Sequence, residues 1–134
     1  MIKRTLGYAA FCGWLIAAGG SLQAHHSLAG VYDMKGEKEV LGTLTIIKFV
    51  NPHGSMHLAV KNPDGSTTEW AFTGGSVTSL AKLGVGKTGP NALHVGDEIT
   101  VTYVPAADGK SPIGLLVAIT YSDGHTVRFR SPDE

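Results

Sequence analysis

The sequence predicts a mainly β domain: a small five- to six-stranded barrel of OB-like order, with one short helix between strands 3 and 4. Three observations predict it. Apolar and polar residues alternate with period two over several short runs separated by turn residues. One short run between the third and fourth of these has helical spacing instead. The order of three strands, a helix and two strands is that of the five-stranded, partly open OB barrel. A small β-sandwich is the alternative, because alternation does not settle closure.

Residues 25–39 are polar and Gly-containing and read as an N-terminal arm. Val40 to Val50 is rich in β-branched and apolar residues, which suits a long strand bent near Gly42. Asn51-Pro52 ends it, since proline cannot donate to a ladder. Met56, Leu58 and Val60 then share one strand face, with Ser55, His57 and Lys61 on the other. Asn62-Pro63-Asp64-Gly65 is a turn. Thr67 to Thr73 returns as a strand carrying Thr68, Trp70 and Phe72 on one face, which completes a hairpin.

Ser76 is placed to cap a helix of about two turns. Val77, Leu80, Ala81 and Leu83 give its apolar side, and Gly84 ends it. Val85 to Asn91 reads as loop and Val95-Gly96-Asp97 as a turn. Ile99, Val101 and Tyr103 alternate as the next strand. Ala106 to Ser111 turns the chain. Ile113, Leu115, Val117, Ile119 and Tyr121 are expected on one face of the strand after it. Asp123-Gly124 is a hairpin turn leading to a short last strand, Thr126 to Arg130.

The start of the chain has the layout of a secretory signal. Lys3 and Arg4 precede an uncharged run from Leu6 to Ala18, too short for an ordinary membrane span, and small Ala24 precedes His25. The expected division is a signal peptide over 1–24 and a single barrel domain over 25–134. Cleavage leaves 110 of the 134 residues and removes two of the eleven basic residues, so nine face eleven acidic ones. It also removes the one cysteine, Cys12, and Trp14.

The expected product is periplasmic or secreted, with no stable membrane anchor. It has no disulfide, no thiolate metal site and no cysteine nucleophile. It lacks the basic excess of a nucleic-acid binder. No motif marks hydrolase or transferase chemistry: the serines lack a nucleophile elbow, and Gly84 to Gly89 lacks a phosphate-loop ending. Asp97 and Glu98 are neighbours in sequence and point to opposite strand faces, so they are not a paired acid and base.

Four motifs stand in order along the chain: His25-His26-Ser27, Asn51-Pro52-His53, Trp70 to Ser76, and Gly96-Asp97. On these the chain resembles a group of small exported bacterial proteins of unknown function. The resemblance spans most of residues 25–134 and implies export and a small β-rich fold, with no established activity. The chain departs from that pattern at Thr73, where the pattern has an acid, at Val77, where it has proline, and at Ser55, where an aromatic is frequent.

Histidine is the informative residue type, with six in the chain. Cleavage after Ala24 gives His25 a free α-amino group. That amine and the His25 imidazole can chelate one metal, because metal displaces a proton from an amine of pKa near ~8. A further imidazole completes a three-nitrogen set of the kind Cu(II) prefers. This resembles in principle the N-terminal histidine brace of copper proteins. His26 contributes through its side chain and backbone in a second version. The plain alternative is that the two histidines lie on a flexible arm beside the cleavage site and bind nothing.

His53 is the expected partner, with Asn51 bonding local backbone or orienting its ring. The plain alternative here is a proline turn whose histidine covers a strand end. His57 ranks below it, because four strand residues span roughly 13 Å. Asp123 and His125 are weaker candidates: an Asp-x-His pair with an N-terminal His resembles the copper set of small periplasmic carriers, though hairpin chemistry explains the Asp-Gly. His94 precedes a turn and is expected to face solvent. Trp70 is expected in the core, with a ligand platform as the alternative.

The sequence therefore ranks three functions. First is an exported metal-binding protein, preferably for copper, serving carriage or buffering. Second is a non-metal OB-like module binding a small ligand or an exported protein partner. A copper redox enzyme comes last, because so small a domain leaves little surface for a substrate. The protein exported from a cell that processes it should have the intact mass of residues 25–134; a start at His26 or later removes the amine chelate.

Overall fold

The computed structural model describes residues 30–130. The chain divides into two compact units, Met1–Val31 and Tyr32–Glu134. Only Gly30 and Val31 of the first are described, so the predicted signal, His25 and His26 lie outside the described residues. The second unit carries the barrel.

Its elements are β1 (Lys38–Lys48), β2 (Ser55–Lys61), β3 (Thr67–Thr73), α1 (Val77–Lys82), β4 (Val85–Gly86), β5 (Asn91–Ala92), β6 (Glu98–Pro105), β7 (Ile113–Thr120) and β8 (Thr126–Arg128). The main sheet runs β3-β2-β1-β6-β7-β8, and β3 also pairs with β7. Neighbours are antiparallel except β3 and β7, which are parallel. The five strands β1, β2, β3, β7 and β6 thus close into a mixed barrel, and β8 extends it. With α1 between the third and fourth barrel strands, the OB-like order holds and the sandwich is set aside.

β1 is long because it serves two partners. Residues 38–43 pair with β6 and residues 43–48 with β2. Gly42 sits just before the exchange. A Cβ there would come within 3.0 Å of the Ala59 carbonyl oxygen and the Leu58 Cβ, so only glycine lets the strands approach so closely. A bulge comes next, with Leu44 opposite Leu58 and Ile46 opposite His57, which leaves Thr45 as the extra residue.

The core gathers the inward faces. Leu44, Leu58, Phe72, Val101 and Ile119 are fully enclosed. Full burial of such a side chain contributes roughly 1.5–3 kcal/mol. Trp70 is half-buried, with its ring centroid 5.4 Å from Tyr103 and 6.1 Å from Phe72. It packs on the core edge.

Two expectations change. Ile113, Leu115, Val117, Ile119 and Tyr121 do not share a face. Thr102 pairs with Ala118 but Tyr103 pairs with Leu116, so a bulge leaves Val117 without a direct partner. Leu116 and Ile119 enter the main core, while Leu115 and Val117 join Val104 and Ala118 in a second cluster against which Tyr32 packs. A bulge shifts parity by one, which strict alternation cannot register. The helix also buries less than its spacing suggests. Leu80 is its one buried residue, and Ala81 and Leu83 are exposed.

Smaller differences concern ends. β1 stops at Lys48 rather than Val50, and β8 at Arg128 rather than Arg130, although the Phe129 N–H still bonds the Val117 carbonyl at 2.8 Å. The expected loop 85–91 contains the short parallel ladder of β4 and β5.

Gly114 tests the closure. A Cβ there would sit 2.5 Å from Tyr103 Cδ2 and 3.0 Å from Phe72 Cδ1. Gly114→Ala should lower stability by about 1–3 kcal/mol, as overpacking does. Gly36→Ala, with nothing within 4 Å of the added carbon, should stay within about 0.5 kcal/mol. Urea midpoints at unchanged m-value read both.

Candidate functional site: the Asn-Pro-His corner

The six residues from Phe49 to Gly54 join β1 to β2, and the Asn51–Pro52 peptide bond is cis. The loop is fixed by backbone. The Gly54 N–H donates to the Gly75 carbonyl at 2.7 Å, and the Gly74 N–H donates to the Gly54 carbonyl at 3.1 Å. Gly54 is buried, and a Cβ on it would meet the Lys48 carbonyl at 3.0 Å and the Gly75 carbonyl at 3.1 Å. Gly75 has φ +71°, a conformation that glycine adopts without penalty. Ser76 then caps α1 by accepting the Ser79 N–H at 3.1 Å.

Two of the sequence motifs therefore meet in space: Asn51-Pro52-His53 and the Gly74-Gly75-Ser76 helix start. Ser55 and Thr73, two of the positions that depart from the resembled pattern, are direct cross-strand partners beside them. The Gly96-Asp97 turn does different work. Its backbone exchanges hydrogen bonds with Leu44, and the Asp97 carboxylate accepts the His94 N–H at 2.8 Å.

His53 is exposed at this corner, and among the described residues nothing hydrogen-bonds its ring. Asn51 is exposed as well and makes no bond to His53 among the described residues, so the expected orienting contact is not formed there. The other three described histidines each have a carboxylate beside Nδ1. His57 is 2.8 Å from Glu69, a diagonal partner on β3. His94 is exposed, as expected, and 3.8 Å from Asp97. His125 is 2.5 Å from Asp123. Glu69 carried no signal in the sequence, because the hairpin register alone brings it to His57.

Asp123 and His125 do come together, and Asn91 joins them, with its Oδ1 3.0 Å from His125 Nε2. The Asp123 carboxyl is held below its usual range, first by the His125 backbone N–H and then by the His125 ring. Both ring nitrogens of His125 are thus engaged within the protein. Among the described residues no three His, Cys, Asp or Glu side chains converge on one point.

The fold and this corner define a class: a small OB-like barrel presenting one unengaged histidine on a glycine-clamped loop. The chain belongs to a family of unknown function (DUF6152), whose model matches residues 13–115. No curated protein and no solved structure matches it.

His53→Ala removes an exposed ring and should change stability by less than about 0.5 kcal/mol. Gly54→Ala crowds two carbonyl oxygens and should destabilise by about 1–3 kcal/mol. Thermal unfolding of the two variants separates the ring from the clamp.

Proposed function

We propose that the protein is an exported, periplasmic copper-binding protein that carries or buffers the ion. His25, as the processed N-terminus, supplies its amine and imidazole; His26 stands beside it; His53 supplies a further imidazole. The observation that carries the reading is the state of His53. Its ring is unengaged among the described residues and stands on a corner held by two backbone hydrogen bonds. A ligand on a fixed backbone loses less freedom when it binds.

His57 has the next claim. Glu69 occupies its Nδ1 side, and a carboxylate in that position commonly orients a metal-binding imidazole. Asp123 and His125 stand outside the proposed set, because Asn91 and Asp123 take both ring nitrogens. Export rests on the Lys3-Arg4 start, the apolar run and Ala24.

The test is a Cu(II) titration of protein whose start at His25 is confirmed by intact mass, beside a chain extended by one N-terminal alanine. One-to-one binding should weaken at least ~10-fold in the extended chain and in His53→Ala, about 1.4 kcal/mol each. Equal weak binding by all three sinks the proposal. The protein would then be read as a metal-free OB-like module for a small ligand or an exported protein partner, with Trp70 at the core edge as the first residue to probe.

A further inference from the structure

We infer that Asp123, His125 and Asn91 form a proton-operated latch that fastens the β7–β8 hairpin to the loop between α1 and β6. It is independent of the copper reading and rests on how hydrogen-bond donors and acceptors are arranged around one ring.

The orientation of Asn91 is set by its second contact. Its Nδ2 donates to the Leu83 carbonyl at 2.7 Å, so its other side-chain atom facing His125 is the carbonyl oxygen Oδ1. That oxygen only accepts hydrogen bonds. On the other side of the ring, Nδ1 faces the Asp123 carboxylate. Asp123 also accepts the His125 backbone N–H at 3.0 Å and is held ionised by these contacts. Each ring nitrogen therefore faces an acceptor. A neutral imidazole carries one N–H and satisfies one of them; the imidazolium carries two and satisfies both.

The neighbouring groups agree with a charged ring. Tyr121 lies flat against His125, with centroids 4.3 Å apart and planes 6° from parallel. An aromatic face attracts a cation. The Tyr121 hydroxyl donates to the Asn91 carbonyl at 2.9 Å, which ties the same two segments a second time. Burial, with Asp97 adding to it, pushes the Tyr121 hydroxyl up to about 12, so the phenol stays neutral. The titratable groups facing the ring are thus Asp123 on its own turn and Tyr121 at the end of β7, with Asp97 acting through Tyr121.

Val85 and Leu93 anchor the fastened segment in the core, while its backbone ladder is short. β4 and β5 are two residues each, and the loop's own backbone bonds run from the Asn91 N–H to the Gly84 carbonyl, from the Ala92 N–H to the Gly89 carbonyl and from the Leu93 N–H to the Gly86 carbonyl. Loss of the His125 proton leaves one acceptor facing a lone pair, and the ring gives up one of its two bonds. The latch is therefore closed while the ring carries both protons and weakens when it loses one.

The experiment tracks the His125 ring by 15N NMR and amide exchange at Asn91 and Leu93, corrected for the intrinsic rise of exchange with pH. Protection should fall about tenfold as His125 loses its proton, the scale of one hydrogen bond to a charged group in a partly exposed setting. In His125→Gln the step should vanish, with low protection at every pH. In Asn91→Asp, a carboxylate faces Nε2 and the step should move to higher pH. Protection that stays level while the His125 ring titrates overturns the latch. So does a step that persists in His125→Gln, which would assign it to His94 and Asp97.

Discussion

The parallel pairing of β3 with β7 is the constraint on which the rest of the molecule depends. It brings Phe72 opposite Gly114 and Thr73 opposite Leu115. The pairing is possible because Gly114 has no side chain. Tyr103 and Phe72 occupy the space a Cβ would need, with their rings edge-on at 5.2 Å. Without this junction β2 and β3 would be a hairpin attached to β1 alone, and an isolated hairpin is marginal in water. With it, the sheet closes and the inward faces share one core.

Closure also fixes where the Asn-Pro-His corner stands. Thr73 is the last residue of β3, and Gly74 and Gly75 lead directly from it onto the Asn-Pro-His loop. The corner therefore inherits its position from the barrel rather than from contacts of its own side chains. Among the described residues nothing hydrogen-bonds its histidine ring, because the backbone does the holding. Elsewhere the histidines have partners: His57 meets Glu69 between β2 and β3, and His125 meets Asn91 between a hairpin and a loop. The histidines thus differ in what lies next to each ring.

Much of the fold was legible in the sequence. Period-two runs located the barrel strands, Ser76 and Gly84 bracketed the helix, and their order pointed to the architecture. What escaped was non-local or aperiodic. The bulge at Val117 shifts parity in the middle of an apolar run, where all the candidate side chains are hydrophobic and give no polar marker. The exchange of partners along β1 is visible only as one glycine. The site was legible in part. His53 could be singled out because proline and glycine flank it, and Asp123 and His125 because they sit two apart on a turn. Glu69 and Asn91 could not, since one reaches its histidine across a strand register and the other across 34 residues of chain.

In the proposed copper site the barrel presents His53 as the fixed ligand and the processed N-terminus completes the set. Paramagnetic broadening in the NMR spectrum of the chain beginning at His25, at substoichiometric Cu(II), tests this most directly. Signals should vanish first at His53, Gly54, Gly74 and Gly75 while those of His94 and His125 persist. Loss that spreads evenly over His53, His57, His94 and His125, or that spares the corner, would contradict it.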